Sequence, residues 1–429
     1  MPHLGRMSAE LGVGRALGGV TATVWLALAA HHLSVREFGQ LALVLSLGSL
    51  VAIGADLGVP LALSKLACDH DEIDRHAVAG AIRRRVGAGV LGAVVLIALW
   101  TNAGDARRWW LAAIYGVSVI VTPVTGSFLA LLRGRGIGSV EAGYELASKV
   151  AVLGLGVVLL AGGVGVAGAL AAFVIVDCAS SLVVPPLARR KVSLSDRRDP
   201  EQAADLRLRA TLPLVAAGVL GSAYERIDIW LVALLLGNAS VALYAAAYKL
   251  YDAVLMPARA VASSAVAAAG RDVIHNGRRV AGRLTARTLA VTAPLALAAA
   301  WAAPAIIRVG FGGHYAKANT ALRVLTVATI PGAALAVVTP IALLCRRRFI
   351  VACTAGGLVA NVVANLVLVP TVGVTGAAVA FLITETALLV LFGASLWMEV
   401  EAPAPKARVA GEIFKAGAPP PGYPGSTRP

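Results

Sequence analysis

The sequence predicts an all-α membrane protein: twelve transmembrane helices in two six-helix bundles, related by a pseudo-two-fold axis along the membrane normal. Three observations carry this expectation. The 429-residue chain is 58% hydrophobic and only 14% charged, with a mean hydropathy of +0.80. Runs of about 20 apolar residues, the length needed to cross a ~30 Å hydrocarbon core, recur along nearly the whole chain. The third is a phrase that occurs twice: 164–177 reads VGVAGALAAFVIVD and 372–385 reads VGVTGAAVAFLITE, identical at eight of fourteen positions and ending on Asp177 and Glu385. A second echo lies upstream, Val121-Thr122-Pro123 against Val338-Thr339-Pro340. Repeated apolar segments of this kind mark duplicated membrane bundles, as in secondary transporters.

Taken in order, the apolar runs place spans at about 10–31, 38–65, 84–101, 109–132, 140–161, 164–187, 209–236, 240–269, 284–308, 318–344, 349–369 and 373–398. In the first, Arg6 and Arg15 precede an apolar stretch and Ala27-Leu28-Ala29 mimics a signal-peptidase site. An uncleaved first span completes the six-plus-six symmetry, with a cleaved leader as the alternative. Of the 38 Lys and Arg residues, 28 fall in segments that alternate onto one side, five on the other and five within spans. The positive-inside rule then puts both termini in the cytoplasm. Six spans separate the two copies, so they run in the same direction, and the substrate path is expected between the halves. The divisions are a six-helix lobe at 1–187, a cytoplasmic inter-lobe loop at 188–208, a second lobe at 209–398 and a Pro/Gly/Ala-rich disordered tail at 399–429.

The net charge of +15 does not indicate nucleic acid, because the basic residues sit in short inter-span loops instead of on one soluble face. Cys68, Cys178, Cys345 and Cys353 lack metal-ligand spacing and are expected to be free thiols. The loop His70-Asp71-Glu72-Ile73-Asp74-Arg75-His76 mimics a metal site, but its side chains need not converge, and it is taken as a solvated loop. No cofactor is expected.

Several motifs resemble bacterial polysaccharide-biosynthesis membrane proteins, the lipid-linked oligosaccharide flippases of the multidrug/oligosaccharidyl-lipid/polysaccharide (MOP) exporter superfamily. In the first half these are Arg36-Glu37-Phe38-Gly39, Ala55-Asp56-Leu57-Gly58 and Ser64-Lys65-Leu66-Ala67. In the second they are Asp228-Ile229-Trp230-Leu231, Leu236-Gly237, Leu243-Tyr244-Ala245-Ala246-Ala247-Tyr248, Phe311-Gly312-Gly313-His314-Tyr315, Leu322-Arg323-Val324-Leu325, the run Asn361 to Leu366, Val369-Pro370 and Gly373 to Ala378. The likeness covers roughly 10–398. One departure is the absence, in Ala262-Ser263-Ser264-Ala265-Val266, of a proline the family often carries near the inner end of span 8. The resemblance implies a bacterial inner-membrane transporter that is not an enzyme. It would flip a polyprenyl-pyrophosphate-linked oligosaccharide by alternating access, with membrane lipid, a coupling ion (proton or sodium) and polysaccharide-assembly proteins as partners. The rivals are a lipid II-type or drug exporter of the same superfamily, and, from a different class, a membrane polymerase or ligase or a non-transporting scaffold. The outer loops of about ten residues leave little room for an enzyme's acceptor site.

An anionic amphiphile needs cations inside a wet cavity, and ionisable groups within spans are costly enough to make each a candidate. The hairpin of spans 7 and 8 is densest, with Tyr224, Glu225, Arg226 and Asp228 on one side and Tyr244, Tyr248, Lys249, Tyr251, Asp252 and Arg259 on the other. Counted from the turn at Gly237, Asp228 matches Lys249 in depth and Arg226 matches Asp252. Both buried ion pairs across the hairpin and cavity-facing Arg226 and Lys249 holding pyrophosphate are consistent with this. Tyr244, Tyr248 and Tyr251 form one helical stripe, either packing or a face for sugars. In span 5, Lys149 lies near mid-membrane, while Glu141 is expected solvated at the inner boundary. Asp177 and Glu385 occupy matching positions and are candidates for ion coupling, against a packing role. Asp56 is expected to serve a helix break or gate.

Overall fold

The computed structural model describes residues 2–397 apart from 104–105, 207 and 270–271; side chains are described for these except at 2–13, 15–16, 208–218, 257, 260–261, 263–276, 344–347 and 397. The expected 399–429 tail, the Arg15 side chain and the Cys345 thiol lie outside that set. The described residues are almost wholly helical: α1 Pro2–His32, α2 Val35–Ala55, α3 Val59–Asp69, α4 Arg75–Ala103, α5 Trp109–Gly134, α6 Gly138–Ala161, α7 Gly165–Arg189, α8 Pro200–Asp205, α9 Leu208–Leu236, α10 Asn238–Ala269, α11 Asp272–Gly310, α12 Asn319–Val372 and α13 Val374–Trp397. Two short strands, β1 Ile73–Asp74 and β2 Leu194–Ser195, pair in parallel. Among the described residues, nine helical stretches are long and apolar enough to cross a membrane. The protein is a multi-pass membrane protein. The expected spans 10–31, 209–236 and 240–269 form as α1, α9 and α10, outside those nine.

Local chemistry explains the boundaries. Ser34 and Glu37 form a reciprocal capping box at the start of α2. The repeated phrase opens on Gly165 and Gly373, at φ 64° and 72°, a left-handed conformation that favours glycine. Its second glycines, Gly168 and Gly376, lie against the span just before: a methyl on Gly168 would meet Leu159 Cβ at 3.1 Å, and one on Gly376 would meet the Val369 nitrogen at 3.0 Å. The duplicated phrase is thus a duplicated tight turn.

Three expected spans differ in form. The single run 38–65 is broken into α2 and α3 at Asp56-Leu57-Gly58, where Leu57 (φ 51°) and Gly58 (φ 65°) both turn left-handed. Conversely, the pair 318–344 and 349–369 is one helical element, α12, of 54 residues. A straight helix of that length would be ~81 Å. Yet Gly332 and Asn361 both reach consecutive residues of α13: a methyl on Gly332 would sit 3.4 Å from Glu385 Oε2, and Asn361 Nδ2 donates to Thr384 Oγ1 at 3.2 Å. On a straight axis those two positions would be ~43 Å apart. The chain therefore folds back within α12, between the apolar stretches Gly313–Leu343 and Arg348–Val372.

Helices α1–α7 pack on one another, as do α9–α13, and the two sets meet mainly where α1 and α2 face α9 and α10. The seam is tight at one end. Gly39 lies so close to the Asn238 carbonyl that any side chain would collide. Phe38 packs edge-on against Phe311 (6.0 Å between centroids) and Tyr315 (5.7 Å), and His31 Nε2 lies 3.3 Å from the Val309 carbonyl oxygen.

At the other end the segment that follows α7 is clamped to the start of α4. The buried Asp74 accepts from the backbone N–H of His76 (2.7 Å) and Ala77 (3.2 Å), capping α4, and from Asp199 N–H (3.0 Å). Gln202 receives the Asp74 N–H at 2.9 Å, and Arg75 pairs with Asp196. The mimic of a metal site is therefore a docking loop. Burial pushes the Asp74 carboxyl up, but the three backbone donors outweigh it and hold the group below 3.8. Its stabilising contribution is complete above about pH 4 and is lost as pH falls through the lowered value. Asp74→Asn is expected to weaken docking by about 1–2 kcal/mol, read as faster amide exchange over 192–206 at pH 7. Exchange unchanged from wild type would show that the clamp does not depend on this carboxylate.

Candidate functional site

The charged hairpin forms as expected, but its partners differ. Gly237, at φ 78°, turns α9 into α10. Depth matching suggested Asp228 with Lys249 and Arg226 with Asp252, and neither pair forms. Lys249 instead lies 3.8 Å from Asp252 on its own helix. Arg259 lies 3.7 Å from Asp252 and 3.6 Å from Glu225. The Arg226 guanidinium sits 5.8 Å from the centre of the Tyr248 ring, a cation–π distance. Neighbours three and seven residues apart share a helix face, whereas equal depth on two helices leaves their rotation open.

Lys149 reaches this group from α6. Its stem lies along Gly18 of α1, where a methyl would meet Lys149 Cγ at 3.6 Å, and adjacent Gly19 faces Met256 of α10. The glycine pair thins α1 enough for Lys149 to lie within electrostatic range of Lys249, with Arg226 and Arg259. Four cations therefore share one region with Asp252 and Glu225. The Lys249, Glu225 and Arg259 side chains remain 27%, 46% and 44% exposed, so this is an accessible polar space and not a sealed core.

Beside it is a layer from which solvent is excluded. Asp228 is fully buried and accepts from the Tyr244 hydroxyl (3.0 Å) and from Asn365 Nδ2 (2.9 Å). Asn365 also contacts Asn361 Oδ1 at 2.9 Å, and both Asn361 Nδ2 and the Tyr224 hydroxyl donate to Thr384 Oγ1 at 3.2 Å. Glu385, buried in turn, follows Thr384 and lines the space facing Gly332 together with the Tyr251 hydroxyl. The Tyr244–Tyr248–Tyr251 stripe is buried, and Tyr248 and Tyr251 pack edge-on around Phe381 at 5.8 and 5.3 Å. Asn361 and Asn365 were given no role in the sequence reading. Their signal was available as two amides four residues apart in an otherwise apolar span. The layer gathers one carboxylate with amide and hydroxyl oxygens. Asn365 Oδ1 is buried without a hydrogen-bond partner among the described residues. No cluster of three His, Cys, Asp or Glu suited to a metal occurs among the described residues.

Helices α2 to α7 hold three more of the expected residues. Asp177 is half-buried, within electrostatic range of Lys149 and of Tyr115 and Tyr144. Asp56, at the α2/α3 break, is bound by Arg85. Arg85 counted as an inner-loop cation in the sequence, but it is 1% exposed and also donates to the Pro123 carbonyl at 2.8 Å, tying the α2/α3 break to the proline of α5. Glu141, expected to be solvated, is buried and takes a bidentate pair from Arg133, at 2.7 Å from Nε. Cys68, Cys178 and Cys353 are free thiols.

The arrangement has known counterparts. Over 96% of its length the chain resembles the structure of the lipid II flippase MurJ in an inward closed conformation, with a TM-score of 0.72 at 13% identity and 89% of that chain covered. It resembles an inward-facing multidrug resistance MATE family transporter of the MOP superfamily, with a TM-score of 0.64 at 16% identity, covering 96% of this chain and all of the other. It also resembles the Vibrio cholerae MATE transporter VcmN in the bent form, with a TM-score of 0.57 at 14% identity over 92% of this chain and 98% of that one. No curated protein matches it in sequence. At these identities the structures establish the fold. The family model for polysaccharide biosynthesis proteins matches residues 11–268, more than half of the chain. The chain thus belongs to the polysaccharide biosynthesis protein family, and its all-helical fold is the one those structures share.

Proposed function

We propose that this protein flips a polyprenyl-pyrophosphate-linked oligosaccharide from the cytoplasmic to the outer leaflet, through twelve spans in two lobes that open alternately. The observation that carries this reading is the accessible cluster of Lys149, Arg226, Lys249 and Arg259, contributed by both lobes. A diphosphate esterified at both ends brings two negative charges into a low-dielectric space, and cations already present there spare the cost of assembling them. Because Asp252 is bound by both Lys249 and Arg259, phosphate oxygens can exchange with it and free both cations. Arg226, Asp228, Asp252 and the tyrosines Tyr244, Tyr248 and Tyr251 complete the proposed substrate region. The aromatic contacts of Phe38 with Phe311 and Tyr315 hold the seam closed on the proposed outer side.

For coupling, the Asp228 layer suits a sodium ion or a proton. Glu385 and, in the other lobe, Asp177 are its proposed neighbours in transport, and Asp56 with Arg85 is the proposed hinge. Asp177→Asn and Glu385→Gln are each expected to cut gradient-driven flipping severalfold at normal expression; full transport by the double variant makes both packing residues.

Orientation follows from charge. Fusion reporters at residues 104, 195, 312 and 410 are expected to give outside, inside, outside and inside. An outside signal at 195 would end the twelve-span arrangement. Flipping itself is tested with a labelled polyprenyl-pyrophosphate sugar in vesicles containing the purified protein, where no movement above empty vesicles under either ion gradient overturns the proposal.

A further inference from the structure

A second feature lies away from the seam. A groove of about 960 Å³ runs between α4, α5 and α7, beside the clamped connector. None of its lining residues belongs to α1, α2, α9 or α10. Its floor is apolar, formed by Val78, Ile82, Val124, Phe128 and Pro185. Phe128 and Val124 lie six and ten residues from the end of α5, so the floor runs ~9–15 Å into the apolar layer. Arg83 and Arg189, both exposed, stand at the rim, and no Asp or Glu lines the groove. The Arg189 guanidinium lies 5.6 Å from the Phe128 ring centre, a cation–π contact that directs it over the floor. Arg75, also at the rim, is already held by Asp196. The wall from α7 carries Pro185 inside the helix, which leaves the Ser181 carbonyl without its helical donor. Next to Ser181 the surface is apolar and open, with Leu182 76% exposed.

We infer that this groove binds one anionic glycerophospholipid, its phosphate at Arg83 and Arg189 and an acyl chain along the Phe128 floor. Charge complementarity selects the occupant: two arginines and no carboxylate favour a lipid of net negative charge, whereas a zwitterionic lipid brings a cation to the same rim. Lipid seated there touches α4, α7 and Val192 and Leu194 of the connector together, bracing the clamp that Asp74 makes. This inference needs only a membrane protein, and it stands whether or not the proposed transport substrate is right.

The test is native mass spectrometry of the delipidated full chain, titrated with phosphatidylglycerol or phosphatidylcholine. One phosphatidylglycerol is expected to be retained, at least tenfold more tightly than phosphatidylcholine. Arg83→Gln with Arg189→Gln should weaken it about 30-fold, the effect of two interfacial arginines. Both side chains are exposed, so melting without lipid should not change. Ile82→Trp, which fills the floor and keeps the charges, should also abolish retention. Arg197→Gln with Arg198→Gln, on the connector away from the groove, should leave it intact. Equal retention of the two lipids, or retention by the Arg83/Arg189 variant, overturns the site. Competition by glycerol phosphate as strong as by the lipid reduces it to a bare anion site, and tighter binding of polyprenyl phosphate makes it a substrate station; either result overturns the phospholipid assignment.

Discussion

Lys249→Gln is expected to weaken capture of a polyprenyl-pyrophosphate sugar by ten- to hundredfold and to slow flipping by a similar factor. One charge-assisted contact is worth about 1.5–3 kcal/mol. The fold should survive, because Asp252 keeps Arg259 at 3.7 Å when Lys249 is lost, so no buried carboxylate is left unpaired. Arg226→Gln should behave similarly, since its contact in the absence of substrate is the Tyr248 ring. Lys149→Gln tests whether both lobes contribute. If these cations only brace the hairpin, Lys249→Gln with Asp252→Asn should restore transport. If they hold phosphate, that double variant stays impaired. The measurements are binding of labelled lipid in detergent and flipping in vesicles, beside thermal stability. Wild-type flipping by Arg226→Gln and Lys249→Gln alike removes phosphate capture from this cluster.

Asp228→Asn should leave lipid binding unchanged and lower ion-driven flipping at least tenfold. The carboxylate is fully buried and its direct partners are neutral, the Tyr244 hydroxyl and the Asn365 amide. Exchanging it for a neutral group of the same shape removes the desolvation cost of a charge, so the melting temperature should stay level or rise. That outcome separates the residue from a structural ion pair, whose loss lowers stability. Asn365→Leu deletes the amide oxygen that lacks a partner and should reduce transport similarly, at a cost in stability. Sodium dependence of flipping in wild type, absent from Asp228→Asn, identifies the ion; proton dependence alone assigns a proton. Unchanged gradient-driven transport by Asp228→Asn excludes coupling at this layer.

How much of this was legible follows from what each signal measures. Sequence counts residues along a helix, and therefore depth. It placed Lys149, Arg226, Asp228 and Lys249 within helical runs, and the structure has them in α6, α9 and α10. It could not give azimuth, so the cross-hairpin pairs Asp228–Lys249 and Arg226–Asp252 stood as one of two readings, where the structure has Lys249–Asp252 and Asp228 among amides and hydroxyls. The same limit hid Arg85, which sits at a helix end by count but turns inward to Asp56 and Pro123, and Glu141, buried by Arg133.

By itself the sequence determined the all-helical membrane architecture, the repeated phrase and the family likeness. Hydropathy and tight-turn glycines such as Gly165 and Gly373 are local properties that any arrangement of the spans must satisfy. Only the tertiary structure decided which charges meet. It joined Lys149 to the α10 cations through the glycine-thinned α1, folded α12 back so that Asn361 and Asn365 reach Thr384 and Asp228, and docked 192–206 on Asp74. Those contacts join residues distant in the chain, and their partners are chosen by helix rotation and close packing, which no spacing along one helix encodes.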